Sequence, residues 1–464
     1  MIVLDGTIVN VALPSIREDL GFSETSLAWV VNAYLLTFGG FLLLGGRLGD
    51  LFGHRRLFLI GISLFTLASL ACGLATSQGT LVAARAVQGL GGALVSAVAL
   101  SLIMTLFTEQ ADRAKAMGIF GFVLSGGGTA GVLLGGVITD ILAWNWIFLV
   151  NLPVGVLVYL LSLRLLPAGT GTAGTGRLDV AGAVTVTASL MLAVYAIVNG
   201  NETGWTSGET LGLLGGSLAL LAGFLVIEAR VAAPLVPLGL FRNRNLSTAN
   251  LVGILMAAGM FAYFFFSALY LQQILGYTPL EVGLAYLPSM VVWGASSLYS
   301  DKFVMRLGIR TPLIGGLGLM TLALVLFARV PVDGNFAVDV LPATLAIGLG
   351  AGIAFNPILL AAMSDVGPQE SGLASGVVNT AFMMGGAVGL AVLASLAASR
   401  TDTLLASGDA EAAALNGGYH VAFLVGAIFV VLAAAVAGAL LRPAARPEDE
   451  DAPRGEPAPA AARD

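Results

Sequence analysis

Long apolar runs dominate this sequence and limit what it can fold into. Together with a shorter first run at 1–16 there are about fourteen, joined by short polar connections: 27–47, 57–76, 79–105, 115–139, 146–166, 179–199, 210–229, 246–271, 281–300, 311–330, 338–362, 373–398 and 420–441. A helix of about 20 apolar residues crosses the roughly 30 Å hydrocarbon core of a bilayer. Open sheets leave backbone groups unpaired in lipid, whereas helices do not. The sequence therefore predicts an all-α integral membrane protein with about fourteen spanning helices.

Composition argues against several other classes of protein. Only 10% of the 464 residues are charged and 57% are hydrophobic, whereas soluble domains carry about 25% charged residues. The one cysteine, Cys72, and the two distant histidines, His54 and His420, offer neither a metal cluster nor a catalytic set. The sequence also lacks a phosphate-binding Gly-x-x-x-x-Gly-Lys-Ser/Thr loop that would use ATP. We therefore expect no enzyme activity, no metal, no cofactor and no nucleic-acid partner.

The distribution of lysine and arginine predicts how the chain is oriented. An even number of helices places both termini on one side of the membrane. If that side is inside, 17 of the 21 basic residues lie in inner segments, three lie in outer segments, and Arg85 lies within a helix. Because positive charge concentrates on the cytoplasmic side, we expect a multi-pass protein of the cytoplasmic membrane with both termini inside. The first run covers only about 24 Å as a helix, so we also expect that the first helix is truncated or that the native start lies upstream.

Two patterns suggest that the chain contains an internal repeat. Four glycines recur at a constant offset of 258 residues: Gly118, Gly127, Gly128 and Gly131 against Gly376, Gly385, Gly386 and Gly389. An acid followed by arginines recurs at 50–56 and 301–310. Repeated halves are typical of transporters that rock about a central site, although glycine-rich helices can also align by chance.

The repeat predicts how the chain is divided. We expect six-helix bundles at 1–166 and 246–441, and two extra helices within 167–245. The segment 442–464 is rich in proline, alanine and charge, so it should be a disordered cytoplasmic tail. The small and polar segment 399–418 should be a flexible outer loop.

Asp5 is the clearest candidate for a functional side chain. It lies inside an apolar run, where a carboxylate costs about 2.5–3.5 kcal/mol unless it faces a cavity or a partner. A shielded carboxyl group can exchange a proton near neutral pH. Arg85, early in the run at 79–105, stays charged and needs a carboxylate, carbonyl or water contact. We interpret the two as a proton-coupling pair; the alternatives are an acid solvated at the N-terminus and an arginine that reaches the outer interface.

A charged connection at 47–56 separates the second and third apolar runs. An acid at a helix C-terminus is unfavourable without a positive partner, because that end carries partial negative charge. We therefore interpret Arg47, Asp50, Gly53 and Arg55 as a latch that holds one conformation closed on the cytoplasmic side. The alternative is that these charges only set the topology.

Two further groups of residues lie within the apolar runs. Small residues spaced along one helix permit close contact with a neighbouring helix, and this predicts a packing face formed by Gly127, Gly131, Gly135 and Gly136. Polar and aromatic residues can line a substrate cavity, and the candidates are Asn32, Tyr34, Gln88, Gln272, Asn356 and Asn379. Packing or a place at the membrane interface is the alternative for each of them.

Several of these stretches resemble the fourteen-helix drug:proton antiporter branch of the major facilitator superfamily, and the likeness covers nearly the whole chain. The stretches that carry it are Leu4–Pro14, Trp29–Tyr34, Arg47–Arg56, Arg85–Ala93, Trp146–Gly155, Tyr270–Gln273 and Gly372–Gly376. The resemblance implies the fold of that superfamily, two pseudo-symmetric bundles with two extra central helices. It also implies that Asp5 and Arg85 act in coupling, that Arg47 and Asp50 act in the latch, and that the proton gradient supplies the energy.

The resemblance implies proton-coupled efflux of amphipathic drugs or small organic molecules. Asp5 is the one acid that lies clearly deep in an apolar run. Members of the family that carry divalent organic cations tend to have a further acid within the membrane in the second half, and none is evident at 281–300, so the resemblance implies neutral or monocationic substrates. One alternative is a dedicated exporter of a single endogenous metabolite or antibiotic. Another is a membrane-embedded sensor, for which the short loops leave little room for an output domain.

Overall fold

Helices make up most of the part of the chain that the computed structural model describes, which is residues 1–107, 109–166, 179–232, 234–364, 366 and 371–441. No strand occurs among these residues. The α-helices are α1 Ile2–Leu20, α2 Ala28–Phe52, α3 His54–Gly73, α4 Gln78–Leu106, α5 Gln110–Ile141, α6 Trp146–Leu149, α7 Asn151–Leu165, α8 Val180–Thr203, α9 Gly208–Arg230, α10 Arg244–Leu269, α11 Pro279–Leu307, α12 Arg310–Phe327, α13 Leu341–Met363, α14 Ser371–Ala406 and α15 Glu411–Leu440. A 3₁₀ turn at Leu238–Arg242 precedes α10, and π turns follow α10 and precede α13, at Tyr270–Ile274 and Phe336–Val340.

Most of these helices suit a bilayer. Within the described residues, eleven stretches are long and apolar enough to cross a membrane. α6 and α7 together form one of them, whereas α1, α5 and α11 are long helices outside that set. The predicted all-α membrane fold is confirmed, and the number of crossings stays a prediction.

Short-range signals in the sequence set several helix ends. Ser77 caps α4, and Thr278 caps α11, each through reciprocal bonds with the residue three positions further on. Pro279 fills the first position of α11, where no backbone N–H is needed. Gly21 ends α1 with a φ of 69°, a conformation that glycine adopts without strain. α1 therefore ends four residues beyond the predicted run, and Pro14 lies inside it.

The prediction of a charged loop at 47–56 was wrong in its extent. Gly53 alone separates α2 from α3, with a φ of 91°. Arg47 and Asp50 lie in the last turns of α2, and Arg55 lies in the first turn of α3. Apolar residues alternate with the charges here, so the helix continues until a glycine can reverse the chain.

The prediction of a flexible loop at 399–418 was also wrong. α14 continues to Ala406, α15 begins at Glu411, and only four residues lie between them. Thr401 is buried, and its hydroxyl donates a hydrogen bond to the carbonyl of Ala414 at 3.3 Å. The segment is rich in alanine, which has the highest helix propensity, and its polar groups bond within the helix pair.

The two halves of the chain share a packing pattern. A Cβ at Gly131 of α5 would lie 2.6 Å from the carbonyl oxygen of Leu4 in α1. A Cβ at Gly389 of α14 would lie 2.7 Å from the Cα of Ala258 in α10. α5 also contacts α11, just as α14 contacts α2. The glycine repeat thus coincides with a repeated set of helix contacts, while the domain boundaries stay predictions and the tail at 442–464 lies outside the described residues.

α8 and α9 form a pair of their own, which we call the accessory pair. The hydroxyl of Ser189 donates to the carbonyl of Ser217 at 2.8 Å, and the hydroxyl of Ser217 donates to the carbonyl of Ser189 at 2.9 Å. α8 also contacts α2 and α14. The amide of Asn201 donates to the carbonyl of Ser395 in α14 at 2.7 Å. The accessory pair is therefore held to both halves of the chain through α8.

Candidate functional site

Asp5 lies at the centre of a buried polar cluster. Its side chain has no solvent exposure. Oδ2 accepts a hydrogen bond from Nη1 of Arg85 at 2.6 Å, and Oδ1 accepts one from Nε2 of Gln88 and one from Nδ2 of Asn151, both at 2.8 Å. Three donors from two other helices thus converge on one carboxylate. Hydrogen bonds to an ionised acceptor are shorter and stronger than neutral ones, so these contacts hold the side chain in one position.

Arg85, like Asp5, is buried and makes several hydrogen bonds. It is 1% exposed, its Nε donates to the carbonyl of Val30 at 2.9 Å, and its Nη1 also donates to Oε1 of Gln88 at 2.7 Å. Its guanidinium carbon lies 4.4 Å from the ring centre of Tyr34 and 5.6 Å from that of Phe148, both within the range of a cation–π contact. A buried ion pair is tolerated when further bonds satisfy its remaining atoms, and these contacts meet that condition.

Neutral residues orient the pair. Gln88 lies one turn from Arg85 on α4, so both side chains share a helix face. Its Nε2 also donates to the hydroxyl of Ser69 at 2.8 Å, and Ser69 in turn donates to the carbonyl of Phe65. Asn151 is the first residue of α7. The cluster therefore joins side chains from α1, α3, α4 and α7 and a backbone carbonyl of α2.

The sequence identified the two charged members but not all of the neutral ones. Gln88 was assigned only to a substrate cavity, and Ser69 and Asn151 were given no role. Asn151 lies inside the Trp146–Gly155 stretch that carries the family resemblance, which was the available signal for it. Ser69 gave no signal, because a serine that bonds to its own helix is common in apolar helices.

Comparison with known proteins places this fold in a family. The sequence model of the family called the Major Facilitator Superfamily matches residues 1–390. The chain belongs to that superfamily. It is 41% identical to the puromycin resistance protein pur8 of Streptomyces alboniger, over 93% of this chain and 87% of that protein. It is 40% identical to the cephamycin export protein CmcT of Amycolatopsis lactamdurans, over 95% and 91% of the two chains.

Solved structures of other transporters share the fold of this superfamily member. A bacterial homologue of the human lysosomal transporter Spinster aligns with a TM-score of 0.67 and 15% identity, over 94% of this chain and 93% of that one. The nucleoside transporter NupG aligns with a TM-score of 0.62 and 12% identity, over 95% and 96% of the two chains. The membership confirms that this protein is a multi-pass membrane transporter and not an enzyme.

The predicted latch residues of this transporter are not all brought together. Arg47 is exposed, and the side chain of Asp50 lies outside the described residues. Arg55 donates from Nη2 to the carbonyl of Leu163 at 2.6 Å, two residues before α7 ends. Arg310, at the start of α12, makes the equivalent contact with the carbonyl of Gly438 near the end of α15. In both halves a helix C-terminus, which carries partial negative charge, receives an arginine; the latch itself stays a prediction.

We expect Arg55→Gln to weaken the end of α7 slightly. The substitution removes a positive charge beside the last carbonyl groups of that helix, an interaction that contributes about 0.3–1 kcal/mol. Thermal unfolding of the purified protein would measure the change. Arg56→Gln is the matched control, because Arg56 is adjacent and exposed. An equal loss in both variants would contradict the assignment of the contact to Arg55.

The predicted glycine face packs against two different helices. A Cβ at Gly135 would lie 2.8 Å from the carbonyl of Ile8 in α1, whereas a Cβ at Gly127 would meet Val3 at an ordinary 3.5 Å. A Cβ at Gly136 would lie 2.6 Å from the carbonyl of Pro279, where α11 begins. α5 is thus wedged between α1 of its own half and α11 of the other half. The role of this face in antiport stays a prediction.

The six predicted cavity residues lie in different surroundings. Gln88 belongs to the Asp5 cluster, and the ring of Tyr34 contacts the Arg85 guanidinium of that cluster. Gln272 donates to the carbonyl of Val11 at 2.8 Å and so joins α1 to the turn after α10. The other three are asparagines. Asn356 donates to the carbonyl of Ser297 at 3.4 Å, and Asn379 donates to the carbonyl of Ser375 at 3.0 Å. The third is Asn32. Asn379 also lines a narrow crevice with Phe355, Ile358, Leu359, Val378 and Phe382.

Asn32 stands out among the six because its amide is fully buried and both its oxygen and its nitrogen have no hydrogen-bond partner among the described residues. A buried polar atom without a partner costs about 1–3 kcal/mol. We expect Asn32→Leu to raise the free energy of unfolding by a similar amount, measured by thermal unfolding. Asn151→Leu is the control, since it removes a bond to Asp5 and should destabilise the protein. A loss of stability in Asn32→Leu would show that its amide is paired.

A second acid with a partly buried side chain lies just beyond the C-terminal end of α1. Glu24, in the connection between α1 and α2, forms an ion pair with Arg17. Burial raises the pKa of the Glu24 carboxyl, and the charge of Arg17 opposes that shift. Trp144, in the connection after α5, donates from its indole Nε1 to Oδ2 of Asp19 at 2.8 Å. These contacts tie the end of α1 to its neighbours.

Proposed function

We propose that this transporter exports drugs or antibiotics across the cytoplasmic membrane in exchange for protons, and that Asp5 carries the proton. The observation that supports this most directly is the buried Asp5–Arg85 pair. A carboxylate and a guanidinium buried within apolar helices are costly, and ionisable residues inside a membrane commonly mark substrate or proton pathways. The proposal about cargo is supported by the two relatives, which are named for puromycin resistance and for cephamycin export.

Proton uptake would change what holds Arg85. When Asp5 is ionised, Nη1 of Arg85 bonds to a charged oxygen at 2.6 Å. When Asp5 is protonated, the guanidinium keeps its bonds to Gln88 and Val30 and its contact with Tyr34, but it loses its counter-charge. The attraction between the two opposite charges, which is strong in a buried site of low dielectric constant, is then lost. Protonation therefore loosens the connection between α1 and α4, and release of the proton restores it.

The position of α1 lets this change reach the rest of the molecule. α1 packs against the glycines of α5, and its Val11 carbonyl accepts a bond from Gln272 of the other half. A shift of α1 therefore changes its contacts with α5 in the first half and with Gln272 in the second half. Alternating access needs such coupling between a proton site and the packing of the two halves.

The proposed cargo is a neutral or monocationic amphipathic molecule. Export of one endogenous antibiotic is the second candidate, favoured by the 40% identity to a protein named for cephamycin export. A panel of compounds separates the two: a multidrug exporter carries several unrelated amphipathic molecules, whereas a dedicated exporter carries one.

Transport by the purified protein tests the proposal. We would reconstitute the full chain in liposomes, impose a proton gradient, and follow puromycin, a cephamycin and a monocationic dye. Gradient-dependent movement of at least one compound, lost when a protonophore is added, is the expected result. Movement that persists after the gradient collapses would contradict proton coupling. Protein-free liposomes give the background leak.

A further inference from the structure

The segment 270–283, which we call the bridging segment, joins the end of α10 to the start of α11. It begins with the π turn Tyr270–Ile274, a kind of turn that is frequent at functional sites. Gly276, with a φ of 70°, lies in the connection that follows, and Thr278 caps α11. We call the side of the molecule on which this segment lies the outer end, because the predicted orientation places it outside.

Gln272 ties the bridging segment to α1. Its Nε2 donates a hydrogen bond to the carbonyl oxygen of Val11 at 2.8 Å, and Val11 is fully buried. A helix carbonyl has a second lone pair, which can accept a bond from outside its own helix. Because water does not reach this buried carbonyl, solvent cannot replace the Gln272 donor while the contact is closed. The bond therefore holds α1 of the first half against the second half.

α1 bends easily near the place where Gln272 holds it. Pro14 lies inside α1, three residues after Val11. Proline has no backbone N–H, and its ring crowds the carbonyl four residues earlier, which is that of Asn10. Sharp bends in helices are concentrated at such sites. A side-chain bond at Val11 therefore acts on the turn of α1 that can move most easily.

The bridging segment also packs on α5. A Cβ at Gly136 would lie 2.6 Å from the carbonyl oxygen of Pro279, and a Cβ at Gly283 would lie 3.0 Å from the carbonyl oxygen of Val132. These distances leave little room for a methyl group at either position, so the backbones of α5 and α11 approach closely. One continuous segment of the second half thus contacts both α1 and α5 of the first half at the outer end.

The neighbouring residues hold the same turn within the second half. Oε1 of Gln273 accepts a hydrogen bond from the hydroxyl of Tyr419 in α15 at 2.7 Å. The hydroxyl of Tyr270 donates to the carbonyl of Pro331, between α12 and α13, at 2.8 Å. The turn is therefore fixed to its own half by Tyr270 and Gln273, whereas Gln272 reaches across to the other half. When the Gln272 bond breaks, the turn can move away from α1 without losing its other contacts.

We propose that Gln272 is a positioning residue that keeps the outer end of the transporter closed through its bond to α1. Transport by rocking of two halves requires them to separate at the outer end in one state, and the bond must break in that state. The proposed change at Asp5 acts on the same bond, because Asp5 and Val11 lie on one helix, about 9 Å apart along its axis. For that link the inference rests on the proposed function, whereas the closing bond itself does not depend on Asp5.

Distances between two spin labels on the full chain in lipid nanodiscs test the proposal. Labels at Glu18→Cys and Asp333→Cys report how far the halves separate, because Glu18 is exposed near the end of α1 and Asp333 is exposed between α12 and α13. Cys72 is buried and can stay in place, and the protein without introduced cysteines shows that it takes up no label. Gln272→Met keeps the length of the side chain and removes the donor. We expect it to raise the ratio of separated to closed molecules about two- to tenfold, the change in equilibrium that corresponds to one hydrogen bond.

Gln273→Met is the matched control. It removes a bond of similar length from the adjacent residue of the same turn, but that bond lies within one half, so the ratio should stay unchanged. Gln272→Asn is a second test variant, which keeps the amide but shortens the side chain by one methylene group. It should shift the ratio in the same direction as Gln272→Met, and it serves in place of that variant if Gln272→Met does not fold.

Two results would overturn the role of Gln272. An unchanged ratio in the Gln272 variants would show that the bond does not hold the halves together, and an equal rise in Gln273→Met would show that any loosening of the turn opens the outer end. Failure of the proposed export is a separate result. A shift in Gln272→Met, in a protein that shows no gradient-driven transport, would refute the export and support the closing bond. Gradient-driven transport without a shift would refute the closing bond alone.

Discussion

Asp5→Asn should abolish export driven by a proton gradient. The amide cannot take up and release a proton, so the substrate loses its link to the gradient. The substitution keeps the size of the side chain, and its oxygen can still accept the bonds from Gln88 and Asn151. Gradient-driven transport in liposomes should fall to the level of protein-free controls. Release of protons on substrate binding, which we expect from the unaltered protein, should also disappear.

The same substitution carries a stability cost that must be separated from the loss of coupling. It leaves the Arg85 guanidinium buried without its counter-charge, and breaking a buried pair in this way costs about 3–5 kcal/mol. The double variant Asp5→Asn with Arg85→Gln removes both charges and should recover much of that loss. It should still show no gradient-driven transport. Recovery of transport in the double variant would contradict a role for Asp5 in coupling.

A control on the same helix makes this comparison specific. Glu18 is an acid of α1 that is exposed, so Glu18→Gln changes the net charge of the helix without touching the buried cluster. We expect normal gradient-driven transport in this variant. If Glu18→Gln and Asp5→Asn lost transport equally, charge on α1 in general would be responsible.

The charged members of the site could be read from the sequence because charge is expensive in an apolar run. Asp5 and Arg85 are separated by 80 positions, yet each needs a partner of opposite charge inside the membrane. Their neutral neighbours are different. Ser69 and Asn151 cost little in a helix when they bond locally, so their presence does not predict a contact. Only the crossing of α3, α4 and α7 brings them to the same place.

The helices were predictable for a similar reason, and their ends were not. About 20 apolar residues must cross the bilayer, so the runs give each helix core. The segments 47–52 and 399–406 are short and mix polar or charged residues with apolar ones. The need to cross the bilayer does not decide their conformation. Local helix propensity and packing extend the helices there, and Gly53 marks the reversal because it adopts a positive φ. The accessory pair shows the limit most clearly, because Asp179 and Glu228 lie at the ends of apolar runs and yet are only 4% and 3% exposed.

Gly131→Ala should damage the protein through a clash between α5 and the backbone of α1. The added carbon would lie 2.6 Å from the carbonyl oxygen of Leu4, which is backbone and cannot rotate away. α1 must therefore move, and Leu4 is bonded directly to Asp5 along the chain. Overpacking of this kind costs about 1–3 kcal/mol. We expect lower thermal stability together with weakened gradient-driven transport.

Gly126→Ala separates this effect from the ordinary effect of alanine in a helix. A Cβ at Gly126 would have no atom within 4 Å, and replacing glycine by alanine inside a helix stabilises it by about 0.5–1 kcal/mol. The two substitutions should thus change the unfolding temperature in opposite directions. If Gly131→Ala matched Gly126→Ala in both stability and transport, α1 and α5 would not be in the close contact that positions Asp5. The sign of this difference therefore tests whether the packing of α1 on α5 holds the proton site in place.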